Sequence, residues 1–207
     1  MGSYKGPSCK ICRRNRVKLF LKGSRCFTAK CEIEKRNFPP GSAPGARASK
    51  MSEYGVRLRE KQKLRYFYGI SENTMRRSYQ RASEKKGITG YNLLLIFESR
   101  LDNVLYRTNV CRSRKEARQI VRHGHVKVNG RKVDIPSFEI RVGDVVELSD
   151  KKRDFFIGNL QALKDAQIPA TYQFDEKALT VKFLHAPKRE DIDVPVQEQL
   201  IVEYYSR

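Results

Sequence analysis

The sequence predicts an α+β protein in three parts: a cysteine-bearing N-terminal extension, an all-helical basic domain, and a domain of two helices followed by a small β-sheet. Three observations predict it. Four cysteines fall early in the chain, as Cys9-Lys-Ile-Cys12 and then Cys26 and Cys31. Residues 52–87 and 91–124 repeat apolar positions at helical spacing, with capping residues at their starts and glycines at their ends. Beyond them, valines alternate with polar residues on both sides of Asn129-Gly130, the strongest short-range hairpin signal.

The extension comes first. Thirteen residues separate the two cysteine pairs, and four lie inside the second. Two pairs across a hairpin-length gap can put four thiolates around one tetrahedral ion, usually Zn²⁺. A [4Fe–4S] cluster would use the same four thiolates and remains open. Two disulfides are the third alternative, but such frameworks belong to exported chains. The first residues, Met-Gly-Ser-Tyr-Lys-Gly, carry no apolar leader. Cys9, Cys12, Cys26 and Cys31 are therefore expected to hold one structural metal as a zinc knuckle. Arg13, Arg14, Arg16, Lys18, Lys22, Arg25 and Lys30 clothe it, which suits phosphates.

The 207 residues carry a formal net charge of +20, with a pI of about 10.0. That exceeds what solubility needs and implies a polyanionic partner, nucleic acid or anionic membrane. The longest apolar run, Leu93 to Phe97, is far too short to cross a bilayer. Gly6 stands where a myristoylation signal needs Ser or Thr. A soluble intracellular protein is expected, with free thiols available to a metal. The charge is graded: +11 in residues 1–50, +6 in 51–90, +3 in 91–150 and zero in 151–207. The electrostatic footprint lies in the N-terminal half, and the last quarter is expected to be scaffold or to face protein.

After the cysteine module, residues 38–45 hold three prolines and two glycines and read as a linker. Ser52 can cap a helix that runs to Gly69, with Tyr54, Leu58, Lys61 and Arg65 on successive turns. Arg57, Arg59, Lys61, Lys63 and Arg65 surround it with charge. Only Glu53 and Glu60 stand near them in sequence, so phosphate contact is favoured over internal pairing. A second helix starts at Ser71 and ends by Gly87. Leu94, Phe97, Leu101, Val104 and Leu105 then form an apolar stripe, which is core. Ser113-Arg-Lys-Glu116 is a capping box, and Gly124 closes its helix after His123. Ala117, Ile120 and Val121 make the inner face of that helix. Arg114, Arg118 and Arg122 are expected to line its outer face, flanked by Arg112 and Lys115. The hairpin follows, then further strands about Gly143-Asp144. A short helix and more strands are expected in 151–187, and a helix or strand in 194–207.

No catalytic constellation is visible: there are three histidines, no Gly-x-Ser-x-Gly and no phosphate loop. His123 and His125 could ligate metal, but one reads better as a helix C-terminal cation and the other as facing RNA or solvent. Cys111 reads as a small buried residue.

The capped basic helix, its His-Gly-His end and Val126-Lys-Val-Asn-Gly-Arg-Lys-Val133 resemble the S-four RNA-binding module. Tyr4-Lys-Gly-Pro with the four cysteines, Arg57 to Arg65, Glu98 to Arg107, His123 to Val133 and Val194 to Arg207 extend the likeness over essentially the whole chain. It resembles the bacterial-type small-subunit ribosomal proteins of the S-four family. Many members lack the cysteines, so this would be the metal-retaining type. The resemblance implies a primary binder of small-subunit ribosomal RNA that nucleates assembly near a multi-helix junction. It also implies neighbouring ribosomal proteins as partners, a seat near the path by which messenger RNA enters, and in some members repression of their own messenger. No membrane and no small-molecule substrate are expected.

The expected domains are residues 1–45, the module and linker; 46–92, the basic helical domain, on which 188–207 could dock; and 93–187, the RNA-binding domain with a β extension. The expected RNA contacts are Arg13, Arg14, Lys18, Lys22, Arg47, Lys50, Tyr54, Arg57, Arg59, Lys61, Lys63, Arg65, Arg100, Arg112, Ser113, Arg114, Lys115, Arg118, Arg122, His123, Lys127, Asn129, Arg131 and Lys132. The rival is an RNA-modifying enzyme carrying the same module. Residues 151–207 are too short for its catalytic domain. A ribosome-recycling factor with the module would not explain the cysteines.

Overall fold

A computed structural model describes residues 4, 6–45, 50–163 and 167–206. The chain forms two compact units, Met1–Leu93 with Asp193–Arg207, and Leu94–Ile192.

The first unit is helical. Helix α1 (Ser8–Asn15) carries Cys9 and Cys12, a 3₁₀ turn over Gly23–Phe27 carries Cys26, and α2 (Glu32–Lys35) follows Cys31. Residues 38–45 have no regular structure, as their prolines and glycines require. Helix α3 (Glu53–Tyr68) begins at Ser52, whose Oγ accepts from the Gly55 amide at 3.2 Å, and ends at Gly69 in the left-handed region. Helix α4 (Glu72–Ser83) is capped the same way by Ser71. Helix α5 (Thr89–Glu98) leads into the second unit. The chain's last helix, Glu198–Tyr205, packs on α3. Leu64, Phe67, Met75, Ala82, Leu93 and Ile201 are buried in this unit.

In the second unit the apolar stripe is not one helix. It breaks at Ser99-Arg100, and α6 (Leu101–Arg107) starts anew. There the Leu101 amide donates to the Phe138 carbonyl at 2.8 Å instead of to its own helix. Helix α6 packs on α7 (Arg114–Arg122). The strands are β1 (Val126–Val128), β2 (Arg131–Lys132) and β3 (Val145–Leu148). Helix α8 (Arg153–Ala162) precedes β4 (Tyr172–Asp175) and β5 (Thr180–Phe183). With these ranges given, Glu198–Tyr205 is α9. The sheet order is β2-β1-β3-β5-β4, antiparallel throughout. Glu139–Arg141 do not form the strand expected before Gly143; Glu139 makes an isolated bridge to Arg100.

Alternation decides which face is core. Val126, Val128, Val146, Leu148, Val181 and Phe183 point inward onto Leu101, Val104, Leu105, Ala117 and Val121. Each such side chain contributes about 1.5–3 kcal/mol of burial. Asn129 and Gly130 both have positive φ, the two-residue turn that matches strand twist. Gly124 is required by its backbone, whose φ of +72° side-chain-bearing residues rarely adopt.

Candidate nucleic-acid interface

The four N-terminal thiols converge. All are free; Cys12, Cys26 and Cys31 are buried and Cys9 is half-buried. Burial pushes the Cys12 thiol up to about 11, and Cys26, Cys9 and Cys31 close by push the same way. Burial also raises Cys26. Two backbone amides, those of Leu19 and Lys22, hydrogen-bond the sulfurs of Cys12 and Cys26 and favour thiolate. Among the described residues, however, no group of three or more His, Cys, Asp or Glu is gathered at the spacing of a metal site. Ligand type and neighbourhood suit a tetrathiolate centre. Around the thiols, Lys18 pairs with Glu34, and Arg13 donates to the Phe38 carbonyl at 3.1 Å while lying over its ring. Arg14 and Lys22 are exposed and carry no ion pair among the described residues.

The α3 cations divide. Arg59 is exposed, but Lys61 and Lys63 are buried. Lys61 Nζ donates to Glu72 at 2.6 Å and sits 4.5 Å from the Tyr204 ring centroid. Lys63 pairs with Glu60 at 2.5 Å, and Glu60 also accepts from the Gln197 amide. Arg57 bridges Glu53 and Glu203, and Arg65 reaches Glu72 at 3.4 Å. The expected all-round phosphate face is corrected accordingly: the carboxylates absent from the local sequence arrive from α4 and α9. Tyr54 and Lys50 remain exposed, whereas Arg47 lies outside the described residues.

Helix α7 needs a second correction. Arg114 is buried, with Nε donating to Asn103 at 2.8 Å and its guanidinium 4.2 Å from the Tyr106 centroid. Arg118 holds Asp102 at 2.6 Å, and Arg100, also buried, grips the same carboxylate with two bonds of 3.0 and 2.8 Å. Glu98 takes Arg107 and Asn103 in the same way. Each buried carboxylate meets forked donors, the condition for tolerating buried charge. Ser113 caps α7 by accepting from the Glu116 amide at 3.3 Å, while Glu116 reaches back to Arg112, one residue beyond the expected capping box.

What remains exposed is a set of cations at the end of α7 and on the hairpin: Arg122, His123, Lys127, Arg131 and Lys132, with Arg112 and Lys115 near the helix start. Asn129 is committed to the turn, donating to Asp144 and accepting from the Val145 amide, both at 2.9 Å. Lys132, Lys127, Glu147 and Thr180 form one row across the open face of the sheet. A groove of about 450 Å³ runs there, lined also by His125 and Lys151. Burial first, then Lys152, His123, Lys132 and Lys151, holds the His125 imidazole below its ordinary value. Lys151 was not anticipated; the run Lys151-Lys152-Arg153 was the signal available.

The ribosomal protein S4/S9 N-terminal domain model matches residues 3–98, and the S4 domain model matches residues 99–146. The chain is 50% identical to the small ribosomal subunit protein uS4 of Thermus thermophilus and 52% identical to that of Geotalea daltonii. It is also 51% identical to the small ribosomal subunit protein uS4A of Symbiobacterium thermophilum. Each alignment covers 100% of both chains. Two adjoining domain matches and half-identity from end to end place this chain in the family of the small ribosomal subunit protein uS4.

Proposed function

We propose that this chain is a primary binder of small-subunit ribosomal RNA that nucleates assembly of the subunit. It is a structural, non-enzymatic ribosomal component that binds the RNA and neighbouring ribosomal proteins, and no described helix is long and apolar enough to cross a membrane. The carrying observation is the set of cations the fold leaves over. Arg122, Lys127, Arg131 and Lys132 are exposed and have no ion pair among the described residues, although carboxylates elsewhere are heavily used. Such cations neutralise phosphates and release counterions. Because A-form RNA hides its base edges, recognition rests on shape, phosphates and 2′-hydroxyls. The family likeness supports a seat near incoming messenger RNA and, as a further activity, repression of the chain's own messenger. The converging thiols support one structural Zn²⁺ on Cys9, Cys12, Cys26 and Cys31, supplying cross-links rather than chemistry.

Filter binding to small-subunit ribosomal RNA and sedimentation with small subunits test the reading. Tight, salt-sensitive binding and one copy per subunit are expected. Substoichiometric association, as for a modifying enzyme, would overturn it. Elemental analysis should find about one zinc per chain; neither zinc nor iron would remove the metal centre.

A further inference from the structure

The first unit contains a cleft between Tyr4, the basic turns of α1 and the middle of α3, with a volume of about 760 Å³. That lies in the range of small-ligand sites. Its lining is mixed: an apolar and aromatic part holds Leu58 and Tyr4, the latter set edge-to-face on Tyr66 at 5.4 Å and 73°, and Lys10 and Asn15 add polar groups. Among the described residues, no carboxylate lines it. Arg14 and Arg59, at its rim, are exposed and carry no ion pair among the described residues. Gln62 lines the cleft, and its Oε1 is buried without a hydrogen-bond partner. A buried acceptor left without a donor is uncommon and costly, and it asks what donor completes it.

Each feature narrows the occupant. A bare phosphate would satisfy the arginines, but it brings no donor to Gln62 and nothing to cover Tyr4 and Leu58. An apolar ligand would leave both the amide and the cations unanswered. A nucleotide has all three parts: a flat body for the aromatic wall, an N–H edge for the amide oxygen, and phosphates on either side. Unstacked bases are the part of RNA that proteins read through stacking and edge contacts. Resting on the RNA-binding reading above, we propose that this cleft receives one unstacked base of the bound ribosomal RNA. Its donor edge meets Gln62, and its flanking phosphates meet Arg14 and Arg59.

The test uses the full chain and small-subunit ribosomal RNA. Gln62→Met keeps length and removes the amide, so it should melt no lower than the parent. Tyr4→Ala changes an exposed ring and should leave folding intact. With the parent, one base that is reactive to edge-specific chemical probing in free RNA should become protected. With either variant that base should become reactive again, and affinity should fall about tenfold, the size of one good base contact. The backbone footprint elsewhere should persist. Nucleoside monophosphates should shift the Gln62 amide resonance in the parent, and inorganic phosphate should not. An unchanged base footprint in both variants, or phosphate acting as well as nucleotides, would overturn the proposal while leaving RNA binding in place. Loss of RNA binding by the parent itself would instead remove the reading on which it rests.

Discussion

Arg114 and Arg122 stand two turns apart on α7 and meet opposite surroundings. A helix advances about 100° per residue, so eight residues carry Arg122 about 80° round from Arg114. That rotation takes one guanidinium into the seam with α6 and leaves the other in solvent. The sequence showed the spacing and the inner face at Ala117, Ile120 and Val121. It did not show where α6 would lie, so an internal polar contact looked like an outward one. Arg114→Ala should remove the donor to the buried Asn103 Oδ1 and cost about 1–3 kcal/mol in a denaturant melt, whereas Arg122→Ala should stay within about 0.5 kcal/mol and weaken RNA binding instead. Equal melting of both variants would contradict the assignment. His125 gives a pH test. Burial and the nearby cations hold its folded value below the ordinary imidazole 6.5, so as pH falls the unfolded chain binds the proton first. Stability from this group is full above about 6.5 and is lost as pH falls through the folded value. Lys132, Lys151, Lys152 and His123 act on it, and Glu147 and Asp150 line the same groove. His125→Gln should therefore show a flatter melting temperature between about pH 7 and 5 than the parent; parallel curves would exclude the residue as a source.

Helix α3 was legible at its ends and not along its sides. Ser52 and Gly69 mark its boundaries by local chemistry, a cap and a left-handed terminus, and the structure uses both. The fates of Lys61 and Arg65 depend on Glu72, which belongs to another helix, and counting acids on α3 misses it, whereas Lys63 pairs with Glu60 inside α3. Glu72 shows the consequence. It accepts from Lys61, Arg65 and the Tyr205 hydroxyl, and so ties α3 to α4 and α9. Glu72 is partly open to water, which reduces what the pairs contribute. Because Lys61 is 4% exposed, Glu72→Gln still leaves a cation short of its partner and should cost about 1–3 kcal/mol. A chevron or equilibrium melt identical to the parent would mean that the Tyr204 ring alone satisfies the amine. The cysteine element differs because its four residues were easy to find and the geometry they adopt was not. Cys12→Ser should loosen residues 8–36 in hydrogen exchange and leave α3 and the sheet protected, since residues 38–45 carry no regular structure between them. Global unfolding of that variant would show the module and the rest to be one cooperative piece.

At the scale of the whole molecule, a charge of +20 is partly spent inside. Lys61, Lys63, Arg100 and Arg114 are buried, and Arg57, Arg107 and Arg118 are engaged with carboxylates. Charge counting therefore overstated how many cations the fold leaves available to RNA. In the β extension the short helix and further strands expected from the sequence are present. Residues 151–187 carry little net charge, and β5 and β4 complete the sheet, with Val181 and Phe183 in its core. Their strands are short and separated by a turn, so the period-two signal is weak in sequence and becomes decisive only when β3 offers an edge. The N-terminal module is where the remaining charge is least internally paired: Lys10, Arg14, Lys22 and Lys30 have no ion pair among the described residues. Each phosphate contact adds roughly 0.7–0.9 to the slope of log affinity against log salt. Replacing these four with Gln removes charge and no core contact, so the melt should be unchanged while the slope flattens by up to about three units. A slope equal to the parent's would show that these cations face solvent in the complex, and would shift the electrostatic footprint to α7 and the hairpin.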